Sequence, residues 1–196
     1  METFQLSEKL LKKIANLILA KKNTPLKKIV KDIHFADMAE IINELNEDQG
    51  VYLIKLFDSE KTSEILTELD EDVREKILKV LSVKEIADEI EELDSDDAAD
   101  ILGELSEKRK EEVISEISDN DLADDLKELL SYKEDSAGGL MAKELVQVKE
   151  TWTVAGCVRE MRRQAENITR VHSIYVTDKD GKFNIFLEAG SYKISL

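Results

Sequence analysis

The sequence predicts a mainly α fold, a superhelical stack of short helices that is followed by a partial α/β module. Two observations favour the stack. Large apolar residues recur every twelve positions, and a residue typical of a helix N-terminus follows almost every one of them. A change of composition near residue 135 marks the start of the α/β part. With 196 residues, the chain is long enough for one medium domain and part of another.

The repeat begins in the first third of the chain and occupies eight positions: Leu45, Phe57, Leu69, Leu81, Leu93, Leu105, Ile117 and Leu129. Side chains that accept hydrogen bonds from the free N–H groups of a helix follow seven of them: Asn46, Asp58, Asp70, Ser82, Asp94, Ser106 and Ser118. The run Ser82-Val-Lys-Glu85 fits a reciprocal capping box. We expect helices of about eight or nine residues that start next to the last six of these capping residues. Because helices this short are marginal alone, they must stack to bury their apolar edges.

The two ends of the chain have a different organisation, so we divide it into residues 1–31, 32–135 and 136–196. For the first segment we predict one or two longer helices, with a break near Asn23-Thr-Pro25. The last predicts a turn at 135–139, a strand at 145–148 and a helix from its N-cap Thr153 to Gln164. A strand at 173–177, a turn at 178–181 and a third strand with Phe183, Ile185 and Leu187 on one side then form a hairpin. We expect a second copy of the chain to cover this hairpin.

The net charge of −16 is unevenly distributed. Residues 1–31 carry +6, residues 32–135 carry −24 and residues 136–196 carry +2. The acidic middle segment would repel phosphates, which disfavours a nucleic-acid partner and favours cations or a basic protein surface. The lysine-rich residues 9–31 are typical of a solvated helix face, with contact to anionic lipid as the alternative.

The chain has the features of a soluble, cytosolic protein. It has one cysteine, Cys157, which excludes an intramolecular disulfide and which we interpret as a helix-packing residue. No stretch approaches the roughly 20 apolar residues of a membrane span. No nucleophile–base pair, glycine-rich phosphate loop or paired-carboxylate pattern stands out. The sequence therefore predicts neither a catalytic site nor an enzyme.

The acidic stretch from Glu85 to Glu107 holds 11 acidic residues and neither lysine nor arginine. Asp96 and Asp100 are spaced i, i+4 and so share one face of a helix. Like charges at this spacing repel unless a cation lies between them, and oxygen ligands suit Mg²⁺, which commonly takes one or two carboxylates and keeps several waters. The alternative is a solvated helix face whose acids cap the helix and complement its dipole.

Three segments of the sequence resemble the intracellular N domain of MgtE-type magnesium transporters. They are Asp-Ile-His-Phe-Ala-Asp at 32–37, Glu-Leu-Asp-Ser-Asp-Asp-Ala-Ala-Asp at 92–100 and Glu-Asp-Ser-Ala-Gly-Gly-Leu-Met at 134–141. The stretches 152–154 and 173–181 are similar to the start of that family's first CBS domain. The resemblance covers about residues 30–182, and the Ser-Ala-Gly-Gly-Leu-Met run at its distance from the Asp-Asp-Ala-Ala-Asp run is its most specific element.

The resemblance implies a superhelical N domain, a CBS pair and a membrane pore that work as a homodimer, with Mg²⁺ bound at interfaces between these parts to close the pore. It places Mg²⁺ ligands at positions matching Asp96, Asp100, the backbone carbonyl of Gly139 and, less closely, Glu64. After Gly181 the sequence departs from the family pattern. We therefore expect the rest of the CBS pair and the pore to be absent from this chain.

The function that these features predict is the cytosolic magnesium-sensing regulatory region of a magnesium transporter, on the cytoplasmic side of the membrane in the full-length protein. Its predicted partners are Mg²⁺ or other divalent cations, a second copy of the chain and the membrane pore domain. The alternative is an acidic helical-repeat scaffold that binds a basic protein. The acidic middle segment suits both functions.

Overall fold

The computed structural model describes residues 6–133, 135–164 and 173–188. Ten short helices come first, and a small α/β module follows, so the predicted fold class is confirmed. In chain order the elements are α1 Glu8–Leu19, α2 Asn23–Val30, α3 Phe35–Asn43, α4 Glu47–Ile54, α5 Ser59–Glu68, α6 Glu71–Val80, α7 Val83–Ile90, α8 Ser95–Gly103, α9 Glu107–Glu116, α10 Asn120–Leu129, β1 Val146–Lys149, α11 Val154–Gln164, β2 Ser173–Thr177 and β3 Phe183–Glu188.

The helices of the stack pack mainly against their second neighbours. Helix α3 contacts α5, α5 contacts α7 and α7 contacts α9, while α4 contacts α6 and α8 contacts α10. One apolar core runs from α1 to α10, and all eight residues of the twelve-residue repeat are buried in it or packed against it. The repeat in the sequence therefore corresponds to one helix, and the structural unit is a pair of helices about 24 residues long.

The predicted helix starts are confirmed at five of the six positions. Asp58 accepts a hydrogen bond from the Lys61 amide (3.2 Å), and Ser82 and Glu85 form the expected capping box. The start at Ser118 was wrong by one residue, because Asp119 caps α10 instead. The Ser118 hydroxyl donates to the Glu91 carboxylate (2.7 Å), as does its amide, so this serine serves as a donor between helices.

The break in the N-terminal segment lies slightly before the predicted position. Helices α1 and α2 are separated by residues 20–22, where Lys21 has a φ of 50°. Pro25 lies in the first turn of α2, where its missing N–H would have no partner within the helix. Ile14 and Leu26 are buried in the same core as the later helices. The division of the chain at residues 31 and 135 stays a prediction.

The α/β module is a three-stranded sheet in the order β1-β2-β3 with α11 on one face. Strands β1 and β2 are parallel, β2 and β3 are antiparallel, and β1 starts one residue later than predicted. Thr153 caps α11 by accepting from the Gly156 amide (3.2 Å), and Cys157 packs against the sheet as expected. Gly181 has a φ of 79° in the hairpin turn, a conformation that favours glycine.

Part of the sheet surface is uncovered. Ile185 is 53% exposed and Phe183 is 61% exposed, and the Phe183 ring lies 6.1 Å from that of Tyr175. The expected hairpin is present as the antiparallel pair of β2 and β3, and its cover by a second copy stays a prediction. Residues 189–196 of the predicted partial module lie outside the described residues. No helix in the described ranges is both long and apolar enough to span a membrane.

Candidate metal-binding region

A wide, acidic groove runs along one side of the helical stack. Its volume is about 930 Å³, and eleven of the fifteen residues that line it are acidic. The acidic residues are Glu60, Glu64, Glu68, Glu91, Glu92, Asp94, Asp97, Asp119, Asp121, Asp125 and Glu144. The described lining contains no basic side chain. We call this feature the acidic groove.

Helix α8 carries three acidic residues, Asp96, Asp97 and Asp100. Its N-terminus lies after Asp94, its Ser95 is fully buried, and its exposed surface presents Asp97 and Asp100. The pKa of Asp97 is raised, first by burial of its carboxyl group and then by the charges of neighbours that include Asp96. A raised carboxyl pKa means that the negative charge is held at a cost, which a bound cation would relieve.

On the other side of α8 lies a smaller cavity of about 390 Å³, which we call the Asp100 cavity. Asp100 and Gly139 both line it, although they are far apart in the sequence. Arg74 and Glu104 form an ion pair in its wall, with Arg74 Nε 2.9 Å from Glu104 Oε1. The other Glu104 oxygen is buried without a hydrogen-bond partner. Carboxylates in this cavity therefore lie beside cations that the chain itself supplies.

The loop that presents Gly139 is tightly built. A Cβ on Gly138 would lie 2.6 Å from the Tyr132 ring, closer than real side chains approach. The Gly139 amide donates to the Ser136 hydroxyl (3.2 Å). The first glycine of the Gly-Gly pair therefore lets the loop pack on Tyr132, and the second lines the Asp100 cavity.

The four predicted metal ligands are divided between these surfaces. Asp100 and Gly139 share the Asp100 cavity, whereas Glu64 lines the acidic groove with Asp97. Asp96 is half-buried on α8 and lines neither of the two. Across residues 6–133, 135–164 and 173–188, no three histidine, cysteine or acidic side chains come close enough to hold a metal ion. Of the four predicted ligands, Asp100 and Gly139 are the two that share a cavity.

The segment after the stack is fastened to the start of α8, a contact that sequence reasoning missed. The Ser95 amide and hydroxyl donate to the two carboxylate oxygens of Glu144, at 3.0 and 2.8 Å. The Lys143 amide donates to the Ser95 hydroxyl (2.8 Å), and its ammonium donates to Glu128 (2.6 Å). Glu144 thus caps α8 from 49 residues away, and nothing in the local pattern around either residue indicates this pairing.

Two carboxyl groups on α7 show how strongly the surroundings of an acid vary here. A hydrogen bond from Lys55 lowers the pKa of Glu85 to about 2, with help from Ser82. Burial, and after it the charges of Asp88 and other acids, raise the pKa of Glu89 to about 8. One Glu89 oxygen is buried without a hydrogen-bond partner. Glu89 is therefore protonated near neutral pH.

The comparison with known families bears directly on the helical stack. A family model described as the MgtE intracellular N domain matches residues 33–135, which span α3 to α10. The chain belongs to this family. The resemblance to the MgtE N domain is thereby confirmed, and the similarity to a CBS domain stays a prediction.

Individual relatives agree with this assignment. The magnesium transporter MgtE of Thermus thermophilus is 45% identical over 51 residues, which are 26% of this chain and 11% of that protein. A crystal structure of the cytosolic domain of the Mg²⁺ channel MgtE in complex with ATP is 26% identical, with a TM-score of 0.82 over 92% of this chain and 73% of that one. A crystal structure of the soluble part of a magnesium transporter shares the fold at 19% identity, with a TM-score of 0.76 over 94% of this chain and 72% of that one.

Proposed function

We propose that this chain is the cytosolic magnesium-sensing regulatory region of a magnesium transporter. In this proposal it lies on the cytoplasmic side of the membrane, forms a homodimer and acts on a membrane pore domain. Support comes from the family membership and from relatives that are cytosolic parts of magnesium transporters rather than enzymes. The observation that carries the proposal is the meeting of Asp100 and Gly139 in one cavity beside the acidic groove.

The proposed ligands of Mg²⁺ are Asp96, Asp100, the carbonyl of Gly139 and Glu64. Because Asp100 and Gly139 are the two of these that share a cavity, they supply only part of an octahedral shell. Mg²⁺ commonly keeps several waters and takes one or two carboxylates, which suits such partial sites. The remaining ligands would come from water, from the α/β module or from another part of the transporter.

Binding at these sites has a direct regulatory consequence. When the ion is absent, repulsion among the α8 carboxylates favours arrangements in which negatively charged surfaces stay apart. When Mg²⁺ is present, the same carboxylates attract further oxygen ligands and draw surfaces together. An ion that binds one arrangement better than the other shifts the equilibrium by its difference in affinity, and gating of the pore requires no chemical reaction.

The test is thermal unfolding of the chain in MgCl₂ and in NaCl at equal ionic strength. An ion that binds only the folded state adds about 1.4 kcal/mol at ten times its Kd. We expect Mg²⁺ to raise the melting midpoint more than Na⁺ does, and a D96N/D100N variant to lose this difference. The matched control is E111Q/E116Q on α9, which removes two exposed charges outside both cavities and should keep the difference. Equal stabilisation by the two salts would mean screening alone.

The alternative function is a scaffold for a basic protein. The volume and apolar lining of the acidic groove favour it, because Phe35, Leu93 and Leu122 would contact a side chain but not an ion. If a lysine-rich peptide stabilises the chain while Mg²⁺ and Na⁺ act alike, the scaffold function is correct and the magnesium proposal is wrong.

A further inference from the structure

The N-terminal helices carry a charged surface that the magnesium proposal does not use. Lys9, Lys12, Lys13 and Asn16 lie on one face of α1 by their i, i+3, i+4, i+7 spacing and line a depression of about 740 Å³ together with Lys22. All five side chains belong to exposed residues. Glu8 is the one acid among the described residues of this lining, and it pairs with Lys12 at 2.9 Å. We call this feature the lysine surface.

An apolar residue stands at the edge of the lysine surface. Leu19, the last residue of α1, is 71% exposed. Lys21 and Lys22 follow it in the turn to α2, and Lys21 has a φ of 50°. An exposed leucine between lysines at a turn suits an interface where charged headgroups lie next to hydrocarbon.

We infer that the lysine surface binds the anionic face of a phospholipid membrane, with Leu19 entering the headgroup region. That a membrane lies nearby rests on the proposed function. The chemistry of the lysine surface is independent of that proposal. Clusters of four to eight lysines beside an apolar element are typical of proteins that bind anionic lipid.

The acidity of the rest of the chain does not prevent this contact. Charges are screened over about 8 Å at physiological ionic strength, whereas α1 alone, with 12 residues, is about 18 Å long. The field at the lysine surface is therefore set mostly by the charges nearest to it, which in this lining are four lysines and Glu8. The opposite charges of residues 1–31 and 32–135 also orient the molecule, with its basic end toward an anionic membrane.

Leu19 favours lipid over the acidic groove of a second copy. This leucine is exposed beside the lysines, whereas eleven of the fifteen residues that line the groove are acidic and would offer it little apolar contact. The apolar side of α1 is already used, because Ile14 and Ile18 are buried in the core. The contact is therefore electrostatic with one apolar residue, which makes it weak and reversible.

The experiment is co-sedimentation of the chain with vesicles of phosphatidylcholine, alone or mixed with phosphatidylglycerol, in low and high NaCl without divalent cations. We expect binding to the mixed vesicles, weakening with salt and absent from pure phosphatidylcholine. The variant K9Q/K12Q/K13Q should lower the partition coefficient about 100-fold, since each lysine near an anionic surface contributes roughly fivefold. Glutamine has a helix propensity close to that of lysine, so α1 should remain folded.

The matched control is K76Q/K79Q/K108Q, which removes three lysines from exposed ion pairs elsewhere on the stack. This variant has the same net charge as K9Q/K12Q/K13Q. We expect it to bind the mixed vesicles as the unchanged chain does. Equal loss in both variants would show that net charge alone governs binding and would overturn the proposal. A lack of binding to the mixed vesicles would also overturn it. So would self-association of the chain, measured by sedimentation without vesicles, that K9Q/K12Q/K13Q abolishes and K76Q/K79Q/K108Q does not. Because no Mg²⁺ is present, none of these outcomes bears on magnesium sensing.

Discussion

The two sides of α8 neutralise negative charge in different ways. In the Asp100 cavity, Arg74 lies against Glu104, and Lys110 is a second basic residue of the lining. In the acidic groove, eleven acids meet without a basic side chain among the described lining residues, and Lys143 from outside the lining pairs with one of them, Asp125 (3.5 Å). In the first arrangement the chain supplies a cation for Glu104, in the same cavity that holds the proposed ligands Asp100 and Gly139. The second leaves charge that a cation from outside can neutralise.

Glu89 shows a third way, which uses a proton. Its surroundings hold no hydrogen-bond donor for one of its oxygens, and its pKa of about 8 keeps it uncharged near neutral pH. The comparison teaches that total acidity does not locate a metal site. What matters is whether each carboxylate is neutralised by a side chain, by a proton or by neither.

The largest effect should come from breaking the internal ion pair. Besides Glu104, Arg74 donates to the carbonyls of Leu66 (3.1 Å) and Leu69 (3.3 Å) at the end of α5. The change R74Q leaves Glu104 with little compensation, and removal of one partner of a largely buried pair destabilises by about 3 kcal/mol. Urea unfolding measures this change.

The control for R74Q is K76Q, two residues along the same helix. Lys76 pairs with Asp72 at 2.9 Å, but both side chains are about half exposed or more, and exposed pairs are worth about 0–1 kcal/mol. If R74Q costs no more than K76Q, the Asp100 cavity does not compensate its charge in the way described.

A smaller effect should follow from the proton on Glu89. Its folded-state pKa lies above the ordinary 4.5, so the folded state binds the proton more tightly than the unfolded state. The contribution of protonated Glu89 to the free energy of unfolding is therefore fully present below about pH 4.5 and is lost as the pH rises to about 8. The change E89Q should remove this loss and stabilise the chain by about 2 kcal/mol at alkaline pH, after allowance for solvent screening.

Unfolding curves over a pH series measure the effect, with E85Q as the contrast. The pKa of Glu85 is lowered to about 2, so its contribution is present above about pH 4.5 and is lost as the pH falls toward 2. The two variants should therefore depart from the unchanged chain at opposite ends of the pH range. Parallel curves for E89Q and the unchanged chain between pH 5 and 9 would contradict the account of Glu89.

The sequence predicted the helices well because their signals are local. The apolar repeat and the capping residues specify where a helix begins and ends, and only the start at Ser118 was wrong, because Glu91 binds that serine. Packing between second neighbours was not predicted, since periodicity gives the length of a helix but not its partner. The sheet was predicted to within one residue because its hairpin turn and its alternation are local as well.

The candidate site could be predicted only in part. Motif resemblance selected Asp100 and Gly139 together, and the structure places both in one cavity. It could not indicate that Glu144 caps α8, because the two segments are 49 residues apart and neither has an unusual composition. Nor could it separate Glu89 from the other acids of its stretch, since its burial depends on tertiary packing.

The most direct test of the central claim replaces Mg²⁺ with Mn²⁺, a paramagnetic ion that also prefers octahedral oxygen ligands, and follows the broadening of backbone amide signals by NMR. We predict that trace Mn²⁺ first broadens amides of α8 and of residues 136–140, together with those along the acidic groove. Excess Mg²⁺ should restore these signals, and D96N/D100N should weaken the effect while E111Q/E116Q leaves it unchanged. Broadening spread evenly over all acidic helices, including α9, would contradict the claim that the carboxylates of α8 and of the acidic groove hold a divalent cation.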